Sequence, residues 1–234
     1  MNREPLPAAV KGLSLVSFFN DIASEMIYPL LPAFVILTLG AGATVLGALD
    51  GAAELTSAAL KWVSGRLADR PGLRKPLILW GYALAVFVRP LTAGATAAWQ
   101  VVGFRVIDRV GKGLRTAPRD AMLADVTPPG LHGRAFGFHR GADHLGAMLG
   151  SLVAWYALTR HAHVREVIGW SVVPGVAAVL VLAAVLRGAP RGVESPAAAA
   201  TPSNAARPAV ISLPVTTPVL LLALLALCRI PETL

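Results

Sequence analysis

The chain has 234 residues, of which 55% are hydrophobic and only 15% charged, with a formal net charge of +8. Soluble domains carry about 25% charge, and with a mean hydropathy of +0.63 this composition excludes an ordinary soluble domain. One cysteine excludes a disulfide framework and a cysteine-based metal site.

A bilayer span needs ~20 mostly apolar residues, and such segments recur along the chain. The start, 1–11, is polar, and no cleavable signal is expected. The first span is predicted over 12–39, interrupted by Asn20, Asp21 and Glu25. A Gly-rich turn at 40–44 leads to a second span over 45–64, and a polar loop follows at 65–75. The third span covers 76–95. The fourth, over 97–125, is the least apolar. A Pro/Gly turn at 127–133 precedes a fifth span over 134–158 and a sixth over 167–186. Residues 188–210 are rich in Ala, Pro and Ser and read as a flexible linker. A seventh apolar run begins near Ile211 and continues toward Leu234. The expected fold is all-α and polytopic. Its expected domains are a six-span half at 1–187, a linker at 188–210 and the start of a seventh span at 211–234.

The basic residues lie between the apolar runs and not in one patch, so nucleic acid is not an expected partner. Arg3, Lys11, Arg66, Arg70, Arg74, Lys75, Arg134, Arg187, Arg191 and Arg207 fall on one side of the predicted topology. The other side holds only Arg160 and Arg165 near its turns. The positive-inside rule then places the N-terminus and the linker in the cytoplasm of a multi-pass membrane protein.

Ionisable residues inside the spans carry the functional signal. Each costs about 2.5–3.5 kcal/mol at the bilayer centre on insertion scales, so such residues usually face a water-filled path. Asp21 and Glu25 are i, i+4 in the first span, and Asp50 and Glu54 repeat that spacing in the second. In the fourth, Arg105, Asp108, Arg109, Lys112, Arg115 and Arg119 form a stripe at helical period. Its outer part is expected to face a cavity and its inner part the cytoplasmic loops. Asp143 and His144 lie in the middle of the fifth span. Candidate cavity residues are therefore Asp21, Glu25, Glu54, Arg105, Arg109 and Asp143. Arg105 and Asp108 also fit a simple intrahelical pair. Arg115, Arg119, Asp120 and Asp125 fit the cytoplasmic interface. Pro118 is expected to kink or end its helix. The third span contributes only Arg89. His139 and His144 are five residues apart and do not share a helix face, so no metal site is expected. Trp62, Trp80, Trp99 and Trp170 fit interfacial belts.

The loop after the second span reads Gly65-Arg-Leu-Ala-Asp69-Arg70-Pro-Gly72-Leu-Arg74-Lys75. It resembles the signature loop of the major facilitator superfamily, with Leu73 where an Arg is usual. Arg109-Val-Gly-Lys-Gly113 is similar to that family's R-x-x-q-G pattern, with Lys112 for Gln. Gly146-x-x-x-Gly150-Ser151 is similar to its antiporter signature, with Ser151 for Pro. Asn20-Asp-Ile-Ala-Ser-Glu-Met-Ile-Tyr-Pro-Leu-Leu-Pro32 resembles a bacterial subgroup, as does Pro118-Arg-Asp-Ala121 with Gly133-Arg-Ala-Phe-Gly137.

The resemblance implies a six-helix half built from two inverted three-helix repeats, plus part of a seventh helix. It also implies that the first, second, fourth and fifth spans line a central cavity. By the same match, Gly65, Asp69, Arg70, Gly72 and Arg74 form a gating loop, with Asp125 or Asp120 as acidic partners of Arg70 and Arg74. The implied function is secondary active transport of a small solute by alternating access, with the direction open. Proton coupling is expected separately, because a carboxyl in a partly dehydrated cavity can load and release a proton, and Glu25 and Glu54 are the best candidates. Expected partners are the substrate, membrane lipid, protons, and a missing C-terminal half or a second copy; no cofactor is expected. The alternatives are a non-transporting membrane receptor or assembly subunit, and an inactive half. No H-E-x-x-H, G-x-S-x-G or paired cysteine supports an enzyme.

Overall fold

The computed structural model describes residues 5–70 and 72–188, and among them every regular element is helical. The linker and the seventh apolar run expected beyond 188 lie outside the described residues. The helices are α1 (Ala8–Glu25), α2 (Ala43–Ala68), α3 (Arg74–Leu91), α4 (Ala98–Asp125), α5 (His132–Thr159), α6 (Val164–Trp170) and α7 (Val172–Gly188).

Pro29 and Pro32 explain why the first span is not one regular helix. Each lacks an N–H donor, and the chain passes through a short 3-10 turn at Tyr28–Leu30 and a π-type turn at Phe34–Thr38 before the span ends. The fourth span starts where the Gln100 side chain accepts the backbone N–H groups of Thr96 and Ala97, at 2.8 and 3.2 Å. Pro118 does not end α4, one of the two outcomes the sequence left open. It sits buried inside a helix that runs on to Asp125.

Among the described residues, three helical stretches are both long enough and apolar enough to cross a membrane: Ala8–Thr38, Arg74–Gly94 and Val164–Arg187. The helices α2, α4 and α5 are each ~40 Å long at 1.5 Å per residue, which also suffices. Their ionisable residues lower their hydropathy.

Packing follows an arc. α5 lies on α1, α1 on α7, α7 on α3, α3 on α4 and α4 on α2, which leaves α2 and α5 at the two ends. Exchanging α1 with α4, α2 with α5 and α3 with α6–α7 maps this order onto itself, the pattern that two inverted three-helix repeats produce. Small residues allow the close crossings. A methyl group added at Gly146 would overlap the carbonyl oxygen of Phe18, and one at Gly150 would lie 2.5 Å from that of Ile22. At the α3–α4 crossing, a Cβ on Gly111 would lie 2.6 Å from the Gly81 oxygen. The antiporter-like Gly146-x-x-x-Gly150 pattern is thus the seam where α5 meets α1.

Two apolar clusters lie toward opposite ends of the bundle. One joins Leu6, Val10, Leu13, Ile78, Met122, Leu123 and Leu182. The other joins Ile27, Leu31, Phe34, Leu49, Val101 and Ile168. Most of the buried charges lie along α3 and α4.

Candidate functional site

The charged centre is built chiefly by α1, α3 and α4. Arg89 on α3 donates from Nε to Asp108 Oδ1 of α4 at 2.9 Å. Its Nη1 reaches back to α1 and donates to both the backbone oxygen and Oδ1 of Asn20, each at 3.1 Å. Arg115 donates to the Gly81 oxygen at 3.0 Å and to Asn20 Oδ1 at 3.3 Å, and its guanidinium lies over the Tyr82 ring at 4.5 Å. All five of these polar side chains, Asn20, Arg89, Asp108, Arg115 and Tyr82, are buried. Arg105 stands 3.7 Å from the second oxygen of Asp108 and lies over the Tyr28 ring at 4.6 Å. Asp108 is therefore mainly an interhelical partner of Arg89, and only secondarily part of an intrahelical pair.

The inner part of the α4 stripe also turns into the bundle instead of toward the cytoplasmic loops. Glycines at 111 and 113 bring α4 against α3 and α2 together, so that more than one face of α4 is covered. Arg119 is buried and donates to Ser17 Oγ of α1 at 2.7 Å, while its other nitrogens hold Asp120 at 2.9 and 3.1 Å. Ser17 Oγ also lies 3.3 Å from the Tyr82 hydroxyl and 3.5 Å from His139 Nε2. His139, with 0% exposure, has its other ring nitrogen 3.3 Å from Ser14 Oγ. Asp143 lies 3.8 Å from His139 and 3.2 Å from Arg140, which also approaches Asp120 at 3.7 Å. This second network ties α5 to α1 and α4. His144, by contrast, is exposed.

The remaining candidates lie toward the open face between the ends of the arc. Glu54 on α2 is 70% exposed at its side chain and stands 3.9 Å from Arg109. Glu25 is half-buried and lies in the electrostatic field of Arg105, Arg109 and Lys112. Asp21 is half-buried, accepts a hydrogen bond from Asn20 Nδ2 at 2.9 Å, and feels Asp143, Arg115 and Arg89.

In the loop after α2, Asp69 caps the helix and is exposed, as is Arg70. Gly72 has φ +78°, a left-handed conformation suited to glycine. Arg74 pairs with Asp125 at the end of α4. Asp120 does not join that pair; it belongs to the Arg119–Arg140 network. Gly65 faces Ala117 of α4, with room for a Cβ at 3.8 Å.

Arg89 and Asn20 are the residues that sequence reasoning undervalued. Arg89 is the one charge of its span, and a lone charge in an apolar run is a signal of a buried partner. Asn20 had only its place beside Asp21 to mark it. Among the described residues no group of three or more His, Cys, Asp or Glu is arranged to hold a metal ion.

Residues 13–230 match the sequence profile of the Major Facilitator Superfamily. An uncharacterised MFS-type transporter of Methanocaldococcus jannaschii is 37% identical over 154 residues, which is 65% of this chain and 38% of its own length. Multidrug resistance protein MdtH of Photorhabdus laumondii is 29% identical over 133 residues, 57% of this chain and 33% of its own length. Among solved structures, the peptide transporter POT in complex with sulfate superposes with a TM-score of 0.69 at 19% identity, covering 97% of this chain and 47% of that one. The human organic anion transporter MFSD10 gives a TM-score of 0.62 at 17% identity, covering 77% and 48%. At such identities the structural likeness speaks for the fold alone. The chain spans less than half the length of each of these relatives.

Proposed function

We propose that this chain, which belongs to the major facilitator superfamily, supplies one half of a proton-coupled secondary transporter that moves a small solute by alternating access. The family consists of multi-pass membrane transporters and not of enzymes. The reading beyond that rests on one observation. Within the depth of the bundle, carboxylates on α1 and α2 stand on the open face beside the cations of α4, with Glu54 3.9 Å from Arg109 and Glu25 in the field of Arg105, Arg109 and Lys112. Charges held at membrane depth mark ion and substrate paths. A carboxyl at the edge of a partly dehydrated cavity is suited to loading and releasing a proton.

In this reading residues 1–187 form the N-terminal half, 188–210 a cytoplasmic linker and 211–234 the start of the seventh span. The N-terminus lies in the cytoplasm of a bacterial inner membrane. The second wall of the cavity comes from a C-terminal half or from a second copy. Substrate binds between the two halves, and they rock around it. The loop at 65–75 braces the cytoplasmic side. Asp69 meets the second half there, and the Arg74–Asp125 pair holds the loop against α4.

The multidrug name of the Photorhabdus relative suggests a first probe, the lipophilic cation ethidium. Cells expressing the full-length gene are loaded with the dye, and its release is followed under an imposed pH gradient. Efflux that collapses with a protonophore and is lost in both Glu25→Gln and Glu54→Gln is the expected result. Gradient-driven efflux that survives both substitutions ends the proton-coupling reading. Asp69→Asn should abolish transport at normal membrane levels; full transport in that variant removes the gating role.

A further inference from the structure

Asn20 makes contacts that fix which way its amide must point. Its Oδ1 faces Nη1 of Arg89 at 3.1 Å and Nη2 of Arg115 at 3.3 Å. A guanidinium donates and never accepts, and it does not deprotonate in proteins. The amide oxygen must therefore face the two arginines, which removes the usual flip ambiguity of an asparagine. The Nδ2 group is then aimed at Asp21 Oδ1, 2.9 Å away. Both arginines are themselves anchored, Arg89 by Asp108 at 2.9 Å and Arg115 by the Gly81 oxygen at 3.0 Å. The amide cannot turn without leaving two buried cations short of an acceptor, a loss of the kind that costs more than a neutral hydrogen bond.

We propose that Asn20 is a positioning residue for Asp21. It presents an oriented N–H to the carboxylate, and so ties the protonation of Asp21 to the arginine pair that joins α1, α3 and α4. The proposal rests on the reading that Glu25, one turn along α1, exchanges protons during transport, and it extends that role to Asp21. Other charges act on Asp21 too: Glu25 from α1 itself, Arg89 from α3, Lys112 and Arg115 from α4, and Asp143 and His139 from α5. Among these groups and Asn20, the amide alone donates a hydrogen bond to Asp21 in this structure. Loss of that donor removes a contact that favours the ionised carboxylate.

The test is isotope-edited infrared titration of the purified full-length protein, with labelled aspartate and each spectrum subtracted against its Asp21→Asn counterpart. In Asn20→Ala the Asp21 carboxylate band should shift in frequency, and its titration midpoint should rise by about one pH unit. An unmoved band and midpoint overturn the proposal. Asn20→Leu is the second variant, because it fills a similar volume, deletes the donor and adds no charge beside Asp21. A role confined to structure leaves the Asp21 band frequency of that variant at its wild-type position, which again overturns the proposal; a shifted frequency supports it. The infrared signal needs no substrate. A failure of the ethidium experiment therefore speaks to transport, and a failure here speaks to Asn20.

Discussion

The charges of the α1–α3–α4 centre and those of the open face are chemically alike and physically opposite. In the centre, Arg89, Asp108 and Arg115 are buried, and each has a partner on another helix within 3.3 Å. On the open face, Glu54 is exposed and its cation is 3.9 Å away. A buried ion has lost its water, so it is tolerable only with several fixed partners. An ion on a wet face keeps its water and stays free to exchange partners or protons. The centre is therefore the frame, and the open face is the part suited to work.

That contrast breaks most severely at Asp108. Replacing it with Ala strands Arg89 in the interior, and removal of one partner from a buried pair typically costs about 3–5 kcal/mol. Thermal unfolding in detergent should show a collapse of the folded fraction. Arg89→Met with Asp108→Leu removes both charges together and should recover much of the loss.

Gly146→Val is next. Its side chain meets the Phe18 backbone, and overpacking of this kind costs about 1–3 kcal/mol. A lowered melting temperature checks it, with the α5–α1 seam as the part that loosens.

Arg74→Ala should cost no more than about 1 kcal/mol, because the pair with Asp125 is partly in water. Its effect should appear in transport rate instead of in the melting curve.

Glu54→Gln should be the mildest for stability, within about 0.5 kcal/mol, and yet remove coupled efflux. A large loss of stability in Glu54→Gln would place that residue in the frame and erase the contrast.

Much of this was legible before any coordinates. Six spans could be counted because apolar runs of ~20 residues are separated by Pro, Gly and basic residues. The loop at 65–75 was recognisable because its Gly, Asp and Arg positions are individually constrained. Pro118 left a kink or an end open, because its missing N–H is a local penalty, and the helix runs past it to Asp125. The α4 stripe misled. A 3.6-residue period identifies a shared face but does not say what covers it, and close approach at Gly81, Gly111 and Gly113 sets two neighbours against α4.

The sequence by itself determined that the chain crosses a membrane several times, that four of the spans carry clustered charge, and which superfamily pattern it follows. These are properties of runs and spacings, and hydropathy and periodicity encode them locally. Only the tertiary structure decided which charges are spent on holding helices together and which remain on the open face. That division depends on pairs such as Arg115 with Asn20, 95 positions apart. A partner's identity in such a pair is set by helix crossings, which no local spacing records.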